Sequence, residues 1–187
     1  MVAAAFVMGF CSGPGQSFTF SVFQPHLLES FGIARGTFAG IYAAGSLLSA
    51  MVASLAGRAA DRYGVRRTLV LAAVGMSAAC GGMAASTGLA GLSVSLAVLR
   101  ALGQGTMTLL GSLLVMQWYA RRRGRAMSLA GLGVSLSGAL LPPACFAAIS
   151  AIGWRGTYGW IGVALLAVLL AAACLVRNRP EELGQHP

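Results

Sequence analysis

Long apolar runs, separated by short polar or arginine-bearing turns, occupy almost all of this chain of 187 residues. A helix rises 1.5 Å per residue and needs about 20 apolar residues to cross a hydrocarbon layer about 30 Å thick. Six stretches reach that length, at about 2–23, 37–57, 68–87, 90–118, 126–152 and 157–176. The pattern predicts an all-α membrane protein of six transmembrane helices. A polar tail over 177–187, with Pro180 and Pro187, reads as the start of a linker rather than a folded unit. The fourth and fifth runs exceed what a crossing requires, so they tilt or project from the bilayer.

Composition excludes the ordinary soluble alternative. Hydrophobic residues make up 57% of the chain and charged residues 9%, against roughly 25% charged in soluble domains. The net charge is +9, which in a soluble protein points to nucleic acid. Here every basic residue is arginine, and the arginines sit between apolar runs. Arg58, Arg62, Arg66 and Arg67 fall between the second and third runs, Arg121, Arg122, Arg123 and Arg125 between the fourth and fifth, and Arg177 and Arg179 in the tail. The alternate connections carry only Arg35 and Arg155. The positive-inside rule then places both termini in the cytoplasm and the chain in the cell's inner (plasma) membrane. A second reading of the same clusters is a face that attracts anionic lipid. No nucleic-acid partner is expected.

The chemistry-bearing residues are few. Cys11, Cys80, Cys145 and Cys174 each lie inside an apolar run without CxxC spacing, so no metal site or cofactor is expected. The histidines are His26, by the first outer turn, and His186, in the tail. Neither reaches mid-membrane as a general base, which argues against an intramembrane hydrolase. Arg100 stands about ten residues into the fourth run, and no Asp or Glu lies inside any run to pair with it. A cation at that depth is costly unless it faces a polar cavity or a partner. It is therefore a candidate anchor for an anionic substrate, or a structural arginine bonded to backbone carbonyls, Gln104 or Gln16. Gly13, Pro14 and Gly15 break the first run and are followed by Gln16 and Ser17. Proline removes a backbone donor, and broken helices of this kind line transport sites or simply kink. Small residues four apart, Gly9/Gly13, Gly36/Gly40 and Ala53/Gly57, suit close helix approach in lipid.

Between the second and third runs the chain reads Gly57-Arg58-Ala59-Ala60-Asp61-Arg62-Tyr63-Gly64-Val65-Arg66-Arg67. This resembles the signature loop of the major facilitator superfamily, G-x-L-x-D-R-x-G-R-R-[RK]. Gly57, Asp61, Arg62, Gly64, Arg66 and Arg67 match, while Ala59 and Val65 depart from it. Arg100 with Gln104-Gly105 resembles the second motif of the superfamily at one residue greater spacing. The run Trp118-Tyr119-Ala120-Arg121-Arg122-Arg123-Gly124-Arg125-Ala126, the Gly-rich helix after it and Arg179-Pro180-Glu181-Glu182 look like the branch of bacterial monocarboxylate and oxalate/formate carriers. The resemblance covers the whole chain but one half of a twelve-span carrier. It implies two inverted three-helix repeats, a substrate site between two halves, and alternating access. It also implies that Gly57, Asp61, Arg62, Gly64, Arg66 and Arg67 form a latch between the halves, with Arg100, Gln104, Gln16 and Ser17 as candidate substrate residues. The partners implied are a small solute, read as an anion such as a monocarboxylate, the bilayer, and a C-terminal half absent from this chain or a second copy in a homodimer. A truncated remnant or scaffold without transport is the competing expectation.

Overall fold

The computed structural model describes residues 1–119 and 123–177. These residues are helical almost throughout, with no strand among them. Helix α1 covers Val2–Cys11 and is followed by a 3₁₀ turn over Gly13–Gly15. Helix α2 covers Ser17–Phe31, α3 Arg35–Tyr63, α4 Val65–Ala85 and α5 Leu89–Arg100. A π-helical segment over Ala101–Met107 leads into α6, Thr108–Trp118. Helix α7 covers Arg123–Leu175, interrupted at Gly153, where φ is 73° and ψ 165°.

Helices outrun the apolar runs. The expected connection holding Arg58, Asp61 and Arg62 is helical, because nothing between Gly57 and Tyr63 breaks a helix and arginine and alanine favour one. The turn shrinks to Gly64, at φ 87° and ψ 154°, a conformation essentially restricted to glycine. The signature motif thus lies on two helix ends rather than in a loop. The expected 153–156 connection likewise shrinks to Gly153. Pro142 and Pro143 sit inside α7 without ending it. Four helical stretches are long and apolar enough to cross a membrane among the described residues: α3, α4, Leu89–Trp118 and Arg123–Leu175.

Small residues set the packing. Ideal Cβ atoms on Gly9 would lie 3.2 Å from the Ala130 carbonyl, and one on Gly13 would collide with Ser137, so α1 lies directly on α7. The Gly36/Gly40 pair meets nothing within 4 Å and does not serve packing among the described residues. On the other flank, Ser77 Oγ donates to the Gly162 carbonyl at 2.7 Å, joining α4 to α7. Phe23 and Tyr158 stack with centroids 4.2 Å apart. The outside is apolar: Leu47 is 74% exposed, Leu71 71% and Trp160 70%, a surface suited to lipid rather than water.

Alternate turns meet at opposite ends. Trp154 Nε1 donates to Ser30 Oγ at 3.0 Å, and Arg155 Nη2 donates to the Ser86 carbonyl at 3.1 Å. The turns after α2 and α4 and the Gly153 bend therefore gather at one end. At the other, Trp118 Nε1 donates to the Arg177 carbonyl at 3.2 Å.

Candidate functional site around Arg100

Arg100 closes α5 where the backbone widens into the π-helical segment. Its side chain is 4% exposed. A cation so buried needs neighbours that replace water, and three elements supply them. Nε donates to Ser46 Oγ of α3 at 2.6 Å. Nη1 donates to the Gly15 carbonyl, in the break between α1 and α2, at 3.4 Å. The guanidinium carbon lies 3.9 Å from the centroid of the Tyr42 ring, a cation–π contact. Tyr42 in turn donates to Ser17 Oγ at 2.5 Å, and its ring meets Phe20 edge-on with centroids 6.0 Å apart. These contacts leave further guanidinium N–H donors uncommitted among the described residues.

The backbone irregularities that create this place touch each other. A Cβ on Gly15 would lie 2.5 Å from the Leu99 carbonyl and 2.8 Å from Gly103 Cα. A Cβ on Gly103 would lie 2.7 Å from Gly15 Cα. Only glycine at both positions lets the 3₁₀ turn and the π segment meet backbone to backbone. The Gly13 carbonyl, left over by the break, accepts from Thr19 Oγ1 at 2.7 Å. π-Helical insertions concentrate at functional sites.

Of the residues singled out in the sequence, the structure brings Arg100, Gly15 and Ser17 together. Of the partners expected for a structural Arg100, a backbone carbonyl is present, that of Gly15, while Gln104 and Gln16 do not bond it; Ser46 was not expected. Gln16 donates to Ser12 Oγ at 3.2 Å, and Gln104 is exposed. Gly13 and Pro14 are buried in the turn. Tyr42 and Ser46 escaped the sequence reading. Their signal is a stripe at helical spacing, Tyr42, Ser46 and Ser49, in the largely apolar middle of α3. A matching stripe, Arg100, Gln104, Thr108 and Ser112, runs down the α5–α6 rod. Its last two members line a groove of about 130 Å³ against Gly9 and Val134.

The signature motif lies apart from this cluster. Asp61, Arg62 and Arg67 are exposed, and Asp61 forms no ion pair among the described residues. Arg62 stacks on Tyr63 at 5.4 Å. Gly64 closes the turn by donating to the Ala60 carbonyl at 2.9 Å, and its own carbonyl accepts from Thr68 Oγ1 at 3.0 Å. Arg121 and Arg122 lie outside the described residues, as do Arg179 and the acids after it.

The comparisons decide the family. The family model of the Major Facilitator Superfamily matches residues 5–187. The chain belongs to the Major Facilitator Superfamily. It is 26% identical over 166 residues to the "Probable sulfoacetate transporter SauU" of Cupriavidus necator, covering 87% of this chain and 38% of that protein. The fold is that of "Inward open conformation of the xylose transporter XylE from E. coli", with a TM-score of 0.77 at 18% identity. A "D-xylose-proton symporter" structure matches with a TM-score of 0.74, also at 18% identity. Each alignment spans 98% of this chain and 49% of the solved one. The chain thus spans half or less of the transporters it matches. Family and fold are those of transporters, not enzymes.

Proposed function

We propose that this chain forms one half of a secondary carrier that moves a small organic anion across the inner (plasma) membrane by alternating access. The observation that carries the reading is Arg100: buried, held on one edge by Ser46 and Gly15 and on one face by Tyr42, with donors left over among the described residues. No Asp or Glu stands inside the apolar runs to neutralise it. A desolvated guanidinium with unused donors suits a carboxylate or sulfonate. A monocarboxylate is the simplest such solute. The sulfoacetate named for the relative carries both groups and belongs to the same chemistry. Ser17, Gln16 and Gln104 supply polar atoms around the anion.

Six crossings follow if α1 and α2 cross as one broken helix and α7 crosses twice about Gly153. The gathering of alternate turns at opposite ends supports that count and an inverted pair of three-helix repeats. The arginine-rich end then faces the cytoplasm, with both termini. The half-length match supports a partner half, from a longer protein or a second copy. Asp61, exposed and without an ion pair among the described residues, would then latch onto that partner.

Counterflow into proteoliposomes tests the reading, with acetate, pyruvate and sulfoacetate against neutral xylose. Anion exchange that disappears in Arg100→Ala, with expression intact, is the expected result. Exchange of xylose alone, or anion exchange unchanged by Arg100→Ala, overturns it.

A further inference from the structure

A second feature lies outside the transport site, on the flank where α3 and α4 run down to Gly64. A groove of about 250 Å³ opens there, walled by Leu55 and Leu71 and floored by Ala56, Ala59, Ala72 and Thr106. Leu55 is 55% exposed and Leu71 71%. Its lining is almost wholly apolar, and Val52, Thr68 and Leu102 complete it. Helical spacing extends its walls toward the Gly64 turn. Leu55, Ala59 and Arg62 share one face of α3, and Arg67 lies four residues before Leu71 on α4. Arg62 and Arg67 are both exposed; Arg62 lies three residues beyond Ala59 of the floor and Arg67 four before Leu71 of the wall, about one helical turn in each case. Beside them Tyr63 is 51% exposed, as aromatic residues at the headgroup level are.

We infer that this groove is a binding site for an anionic phospholipid, one acyl chain lying between α3 and α4 and the phosphate held by Arg62 and Arg67. The apolar channel accounts for the chain, and the two cations at its mouth account for the choice of headgroup. A zwitterionic lipid would fill the groove but bring no net charge to the arginines. The site needs only that the chain be embedded in a membrane; it is independent of which solute Arg100 binds.

Native mass spectrometry of the purified chain in detergent tests this with dioleoylphosphatidylglycerol and dioleoylphosphatidylcholine. About tenfold or greater preference for phosphatidylglycerol is expected, from two cations acting at the headgroup. The Arg62→Gln/Arg67→Gln double variant should bring the preference down to about twofold or less. Arg62→Lys/Arg67→Lys should keep most of it and shows that the protein still folds. Ala59→Trp, which fills the groove, should remove bound lipid of both kinds. Arg123→Gln/Arg125→Gln changes the same net charge elsewhere and should leave the preference intact. Equal binding of the two lipids overturns the proposal. So does an equal loss in the Arg123/Arg125 pair, which would mean diffuse attraction. Full competition by soluble glycerol phosphate also overturns it, because the acyl groove would then contribute nothing.

Discussion

Arg100 illustrates how a buried charge is made tolerable by unequal partners. Ser46 holds Nε at 2.6 Å, while the Gly15 carbonyl holds Nη1 only at 3.4 Å. The weaker bond is the one an incoming anion would replace. Tyr42 covers the guanidinium face and is itself fixed by Ser17. Removing only the hydroxyl and removing the whole ring should therefore differ. Tyr42→Phe is expected to cost about 0.5–1.5 kcal/mol of stability, one hydrogen bond. Tyr42→Leu should cost about 0.5–2 kcal/mol more by losing the cation–π contact. Thermal unfolding of the two variants in detergent checks the order, and equal midpoints would contradict it. Arg100→Lys keeps the charge but not the planar fork, so it cannot hold Ser46, Gly15 and an anion together. Counterflow should fall nearly as far in Arg100→Lys as in Arg100→Ala.

At the scale of elements, two irregular stretches meet where regular helices could not. The 3₁₀ turn at Gly13–Gly15 and the π segment at Ala101–Met107 touch through Gly15 and Gly103. A methyl group on Gly103 would sit 2.7 Å from Gly15 Cα, against backbone that has nowhere to move cheaply. Gly103→Ala is expected to destabilise the protein by about 1–3 kcal/mol, the usual range for overpacking. Gly36→Ala, with nothing within 4 Å, should be neutral or slightly stabilising. A thermal midpoint lowered in the first and not in the second checks the contact. The Gly64 turn makes a parallel case. Its φ of 87° with ψ of 154° is open to glycine and strained for alanine, so Gly64→Ala should cost about 1–3 kcal/mol. Loss of that turn would misdirect α3 and α4 together.

At the scale of the molecule, the proposed topology and latch make separate demands. Reporter fusions after Arg67 and after Arg123 should be cytoplasmic, and fusions after Ser86 external. A cytoplasmic signal at Ser86 would remove the six-crossing reading. Asp61 offers its carboxylate outward, without an ion pair among the described residues. If it latches onto a second half, Asp61→Asn should slow counterflow several-fold and leave the ranking of substrates unchanged. A normal rate would count against the latch without touching the Arg100 site.

Much of the architecture was legible in the order of residues. Apolar length, arginine placement and the motif from Gly57 to Arg67 are local properties, legible before any packing is known. The break at Gly13-Pro14-Gly15 was legible for the same reason, because proline and glycine act on their own backbone. What surrounds Arg100 was not. Ser46, Tyr42 and the Gly15 carbonyl reach it from 54, 58 and 85 positions away in sequence, distances over which no local rule acts. The same holds for the π segment, whose register depends on how closely Gly103 can approach another helix. Tertiary packing alone decides which polar atoms share a buried charge, because burial is a property of all the helices at once.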